Sequence, residues 1–117
     1  MENALREQRC QPCEGDVPPL PADDLARHRA GLSARWTLDA EQRCLSADFS
    51  FRNYYQVQAF INAVAWIAHG ENHHPDIHFG YRNATVSWTT HAAGGLTLND
   101  FICAAKVDAL HDEAPDA

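Results

Sequence analysis

Polar and apolar residues alternate from Leu45 to Phe51, where Leu45, Ala47, Phe49 and Phe51 are separated by Ser46, Asp48 and Ser50. A period of two predicts a strand with one buried face. Trp36 and Leu38 alternate in the same way, and the polar run Asp39 to Arg43 suits the turn of a hairpin. From Asn53, a residue type that caps helices, the period changes. Val57, Phe60, Ile61, Val64 and Ile67 share one helical face, which places a helix over about 54–69 with Gly70 as its stop. Ile77, Phe79 and Tyr81 then alternate as a strand, Arg82-Asn83 reads as a turn, and Ala84, Val86 and Trp88 alternate with Thr85, Ser87 and Thr89.

Two further helices flank this pattern. Pro21, the acidic pair Asp23 and Asp24, the basic run Arg27-His28-Arg29 and Gly31 mark a short helix over 21–31. Thr97-Leu98-Asn99-Asp100 has the form of a capping box with Asp in place of Glu. It opens a last helix over about 98–110, with Leu98, Phe101, Ile102, Ala105 and Leu110 inward. The order is helix, strand, strand, helix, strand, strand, helix. It predicts an α+β fold: a four-stranded antiparallel sheet with three helices packed on one face. Residues 1–19 read as a flexible N-terminal arm, 20–111 as the domain and 112–117 as a tail. Tyr54, Tyr55 and Trp66 fall outside the apolar stripe, at the core edge or at a subunit interface.

The chain has 117 residues, 45% hydrophobic and 21% charged, the balance of one globular domain rather than a disordered segment. Its formal charge of −7 argues against nucleic acid or an anionic membrane surface as partner. No apolar run approaches the roughly 20 residues of a membrane span, and Met1 to Gln8 lack the apolar core of a signal peptide. The expectation is a cytoplasmic protein whose four cysteines are free thiols. Cys10-Gln11-Pro12-Cys13 has no second Cys-x-x-Cys to complete a zinc site and no strand before it to make a redox motif. Both thiols are expected to be unpaired and at the surface.

The chemistry concentrates in one place. Five of the seven histidines, His69, His73, His74, His78 and His91, lie in or just before residues 72–91. Imidazole titrates near neutrality, so the cluster suits proton transfer or metal binding. Pro75 stiffens the corner that carries His73 and His74. Two antiparallel strands joined by a turn should then return His91 to their level. A zinc site is disfavoured, because neighbours on extended backbone point to opposite sides and no His-Glu-x-x-His occurs. No Ser or Cys sits in a nucleophile elbow. Metal-free general acid–base catalysis and ordinary surface histidines are the readings left. The small-residue loop Ala92-Ala93-Gly94-Gly95-Leu96 either lets backbone approach a ligand or is a flexible connection.

Asn72-His73-His74-Pro75, Tyr81, Val86, Thr90-His91, Gly95-Leu96-Thr97 and Asp100 together resemble the pterin-4a-carbinolamine dehydratases. The similarity runs from about Leu20 to Leu110, most strongly after Phe49, and the Cys-rich arm resembles that of bacterial members. The resemblance implies the fold already predicted. It also implies loss of water from a 4a-hydroxytetrahydropterin to give the quinonoid dihydropterin, which recycles the pterin of aromatic amino-acid hydroxylases. His73 and His91 are then the acid–base pair, with His74 as a third catalytic histidine that positions the pterin. Glu71, Asn72, Pro75, Thr90, Ala93 and Asp100 become substrate-binding residues. Asp100 either holds the Thr90-His91 corner or only caps its helix.

No metal and no cofactor are implied, the pterin being the substrate. A homodimer or homotetramer is implied, with an aromatic amino-acid hydroxylase as candidate protein partner. The arm through Pro19 is expected to be dispensable for catalysis. The alternative is a pterin-binding or hydroxylase-regulating protein with little catalysis. Three positions depart from animal members of the family: His69 stands where they have an acidic residue, with Glu71 nearby, Ile77 replaces a Trp, and Ala93 replaces a Cys.

Overall fold

The alternating segments pair into a four-stranded antiparallel sheet of β1 (Thr37–Leu38), β2 (Leu45–Ser50), β3 (Asp76–Phe79) and β4 (Asn83–Trp88). The spatial order is β1-β2-β4-β3. The computed structural model describes residues 4–12 and 17–113. In the β2–β4 register Leu45 faces Trp88, Ala47 faces Val86 and Phe49 faces Ala84. Every apolar residue of the two strands therefore lands on one face, where all six are buried. The opposite face is polar: the Ser46 and Ser87 hydroxyls lie 2.8 Å apart, and Thr85 donates to Asp48 at 2.6 Å.

Helices α1 (Ala22–Ala30), α2 (Tyr54–Glu71) and α3 (Leu98–Glu113) cover the apolar face. Leu25 from α1, Val57, Phe60 and Val64 from α2, and Phe101 and Val107 from α3 join the strand residues and Trp36 in a single core. The α+β prediction is borne out. Among the described residues no helix is long and apolar enough to cross a membrane.

Three local expectations change. The β3–β4 turn falls earlier than Arg82-Asn83, because Gly80 donates its N–H to the Asn83 carbonyl at 2.9 Å. Asn83 therefore opens β4, and Tyr81 sits in the turn, exposed. Gly70 does not end α2. The helix runs one residue further to Glu71, and Asn72 terminates it with left-handed dihedrals, φ 52 and ψ 43. Asn is among the few side chains that adopt this conformation readily. Finally, the arm is not loose over residues 4–12. Leu5–Glu7 form a 3-10 turn, and Leu5 and Cys10 pack against the core.

Candidate active site

The site is built on the stop signal of α2. With Asn72 left-handed, the His73 N–H turns back to the Ala68 carbonyl at 3.1 Å, the longer bond of a Schellman motif. This reversal sends the two histidines different ways. His73 goes inward and His74 stays exposed. The His73 ring stacks on Trp88, with centroids 5.6 Å apart and planes 14° from parallel. Its Nε2 lies 2.6 Å from Asp100 Oδ1.

Asp100 is wholly buried. A buried carboxylate must be satisfied by donors, and here they converge. Oδ2 accepts the Thr90 hydroxyl at 2.7 Å and the Thr97 N–H at 3.0 Å, while the Thr90 and Thr97 hydroxyls lie 2.9 Å apart. The bond from Thr97 N–H to Asp100 is half of the predicted capping box. Asp100 thus caps α3 and holds Thr90, and its other oxygen orients His73. An ionised Asp100 can only accept, so His73 Nε2 carries hydrogen toward it and Nδ1 is the ring atom left for a ligand.

Beyond Thr90 the chain forms a 3-10 turn, His91–Ala93, closed by Gly94 at φ 69. Thr90 and Gly95 pair across the base of the loop. A side chain at Gly95 would press on Pro19, whose Cβ lies 3.1 Å from the position a Cβ would take. The β3–β4 hairpin, with Asp76 opposite Ser87, carries His91 back as its alternation predicts. His73, His74 and His91 all line one cleft of about 480 Å³, within the size range of small-molecule sites.

Glu71, Asn72 and Thr90 also line this cleft. Pro75 instead borders an adjoining groove that shares Asn72, His73 and His74. Ala93 and Asp100 line neither depression. His69 packs on Trp66 and borders that adjoining groove, and His78 pairs with Thr85 on the polar sheet face; neither lines the cleft itself. Among the described residues no three His, Cys, Asp or Glu side chains are grouped to hold a metal ion.

One wall was invisible to the periodicity. Arg9, Cys10, Gln11 and Pro12, from the arm, line the cleft. Glu71, with its side chain only 7% exposed, accepts the Cys10 N–H at 2.8 Å and Arg9 Nε at 2.8 Å. Burial raises the Glu71 pKa, but the Cys10 N–H, Arg9 and Lys106 outweigh it and hold the carboxyl below the ordinary range. Asn99 takes the Gln11 N–H on Oδ1 at 2.9 Å and returns Nδ2 to the Gln11 carbonyl at 2.7 Å. Cys10, expected at the surface, is half-buried with its Sγ 3.6 Å from that of Cys103. The contact with Cys10, then burial, pushes the Cys103 pKa up. Cys13 lies outside the described residues.

The chain is a one-sided α+β sandwich in which His73, bonded to the buried Asp100, and His91 line the same small cleft. Residues 18–110 match the family profile described as pterin 4 alpha carbinolamine dehydratase. A Nitrosomonas eutropha protein provisionally named pterin-4-alpha-carbinolamine dehydratase is 54% identical over 106 residues, 91% of this chain and 92% of its own. A Legionella pneumophila protein of the same provisional name is 44% identical over 94% of this chain and 97% of its own. The chain belongs to the pterin-4a-carbinolamine dehydratase family. Its fold is also that of a Brucella melitensis structure described as a transcriptional coactivator/pterin dehydratase, at TM-score 0.74 and 23% identity, covering 79% of this chain and 97% of that one. A pterin dehydratase-like protein described as a RuBisCO assembly factor in the alpha-carboxysome aligns at TM-score 0.58 and 26% identity, over 68% of this chain and 92% of that one.

Proposed function

We propose that the protein is a 4a-hydroxytetrahydrobiopterin dehydratase working by general acid–base catalysis from His73 and His91. The observation that carries this reading is the buried Asp100 bonded to His73 on the wall of a cleft that His91 also lines. In the reaction the C4a–O bond breaks, and the departing hydroxyl takes a proton to leave as water. The N5 proton is lost as the C4a=N5 double bond forms. One imidazole in each protonation state provides both transfers near neutrality. Asp100 holds the His73 tautomer, so exchange with the pterin falls to Nδ1. His74, exposed at the same cleft, contacts the pterin.

Positioned acid–base groups contribute typically ~10²–10⁴-fold each. We expect His73→Ala and His91→Ala each to lower kcat far more than they raise KM, and the double substitution to cost less than the product of the two. His74→Ala should act mainly on KM. The measurement is steady-state dehydration of both 4a-carbinolamine stereoisomers, corrected for the spontaneous reaction. Wild-type kcat in both single variants would remove these histidines from the mechanism. Binding of the pterin without turnover by the wild type would favour the alternative, a pterin-binding or hydroxylase-regulating protein.

On the same reading the reaction needs no metal or bound cofactor; turnover lost to a chelator and restored by zinc would contradict this. The product serves an aromatic amino-acid hydroxylase in the cytoplasm. Self-association as a homodimer or homotetramer is supported by Tyr55 and Trp66, which stand 81% and 75% exposed on α2. Light scattering on the purified chain tests it.

A further inference from the structure

We propose that the strap Arg9–Pro12 is a working wall of the substrate cleft, and that Glu71 is the positioning residue that holds it there. What the cleft binds rests on the dehydratase reading; the docking of the strap does not. The strap is pinned at two points, and each pin is next to a residue of the site. Glu71 lies two residues before His73 and is bonded to Arg9 and the Cys10 N–H. Asn99, 6% exposed and directly before Asp100, exchanges two hydrogen bonds with the Gln11 backbone. Arg9 also donates to the Gly70 carbonyl at 2.9 Å. Lys106 reinforces the anchor, with Nζ 3.9 Å from Glu71 and donating to the Arg6 carbonyl at 2.8 Å.

These contacts give Glu71 a role other than gripping substrate. Its carboxyl is already engaged by the arm and has little surface left. A segment laid across one side of a cleft in this way limits the space a ligand occupies and excludes water from it. It donates no proton to a reaction run by His73 and His91. Its effect should therefore fall on substrate affinity, not on the chemical step.

The test compares wild type with Glu71→Gln, which weakens the contacts of the carboxyl with Arg9 and the Cys10 N–H, and Arg9→Ala, a change at an exposed side chain that leaves the core intact. Strap docking is read from alkylation of Cys10 by iodoacetamide, located by tandem mass spectrometry. The wild type should label slowly and both variants several-fold faster. In the dehydration assay KM should rise about tenfold in Glu71→Gln and less in Arg9→Ala, with kcat nearly constant in each. The two effects together should be less than multiplicative, because both act through one contact. Cys10 labelling equally fast in wild type and variants would overturn the docking. Faster labelling with wild-type KM would show a docked strap that is not a wall, and would equally overturn the proposal. If the wild type binds tetrahydrobiopterin without turning over a carbinolamine, the dehydratase reading fails alone. Weaker binding of that pterin by the variants then upholds the strap, and equal binding overturns it.

Discussion

Asn72 shows how much of the site depends on one dihedral pair. Most side chains pay roughly 1–2 kcal/mol to adopt a left-handed conformation. We expect Asn72→Ala to lower stability by about 1 kcal/mol, seen in urea unfolding, and to lower kcat because His73 loses its approach to Asp100. Asn72→Gly should retain the turn and most of the activity; equal losses in both would separate the site from the helix stop. Asp100 acts on His73 in the same indirect way. In Asp100→Asn, an amide N–H turned toward His73 Nε2 would favour the opposite tautomer and leave Nδ1 protonated. We expect kcat to fall about a hundredfold or more with a smaller change in KM. The pH–rate profile is the deciding readout, because a purely structural defect would scale the profile without moving its limbs.

At the scale of elements, the arm and α3 meet through sulfur. Cys10 and Cys103 place Sγ atoms 3.6 Å apart, and a disulfide needs them at about 2.05 Å, a gap that side-chain rotation and small shifts can close. Oxidation by a small-molecule disulfide such as oxidised glutathione should join the two. A Cys10 thiolate attacks the reagent, and the Cys103 thiolate then displaces the smaller thiol. Because the Cys103 pKa is pushed upward, the second step should be slow and should accelerate at alkaline pH. Peptide mapping should show a mass lower by two hydrogens and a bridge to the 98–113 helix. A Cys10–Cys13 bridge alone would refute this pairing.

For the whole molecule, ionisable groups at different places should divide the pH response of stability into separate windows. His111 on α3 accepts from Arg35 at 3.0 Å and packs against Phe49, Phe51 and Phe60. Burial, then Arg35, depresses its pKa below the ordinary 6.5, against the opposing pull of Asp112 and Asp108. The folded state then binds fewer protons than the unfolded chain. The contribution is fully present above pH 6.5 and is lost as pH falls from there through the folded value. Glu71, whose pKa is also depressed, contributes in the same direction but below pH 4.5. We expect His111→Gln to flatten the dependence of unfolding free energy on pH just below 6.5 and to leave the acid limb in place. An unchanged slope there would show that His111 is not its source.

What the sequence determined by itself was most of what rests on local period and local caps, though not the end of α2 at Asn72 or the place of the β3–β4 turn. The two-residue alternation of Leu45 to Phe51 and of Ala84 to Trp88, the helical stripe Val57 to Ile67, the Asn53 cap and the Thr97–Asp100 box all predicted elements that are present. The return of His91 toward His73 was also legible, because an antiparallel hairpin leaves little choice. Tertiary structure decided the rest. Asp100 read equally well as a cap or as the support of a corner; its contact with His73 crosses between α2 and α3, and no spacing encodes it. The arm read as loose because its order comes from Glu71, Asn99 and Cys103, far away in sequence. Periodicity records which face of an element meets the core. It does not record which buried polar group on one element completes the hydrogen bonds of another, and on those pairings the histidine geometry and the arm's wall depend.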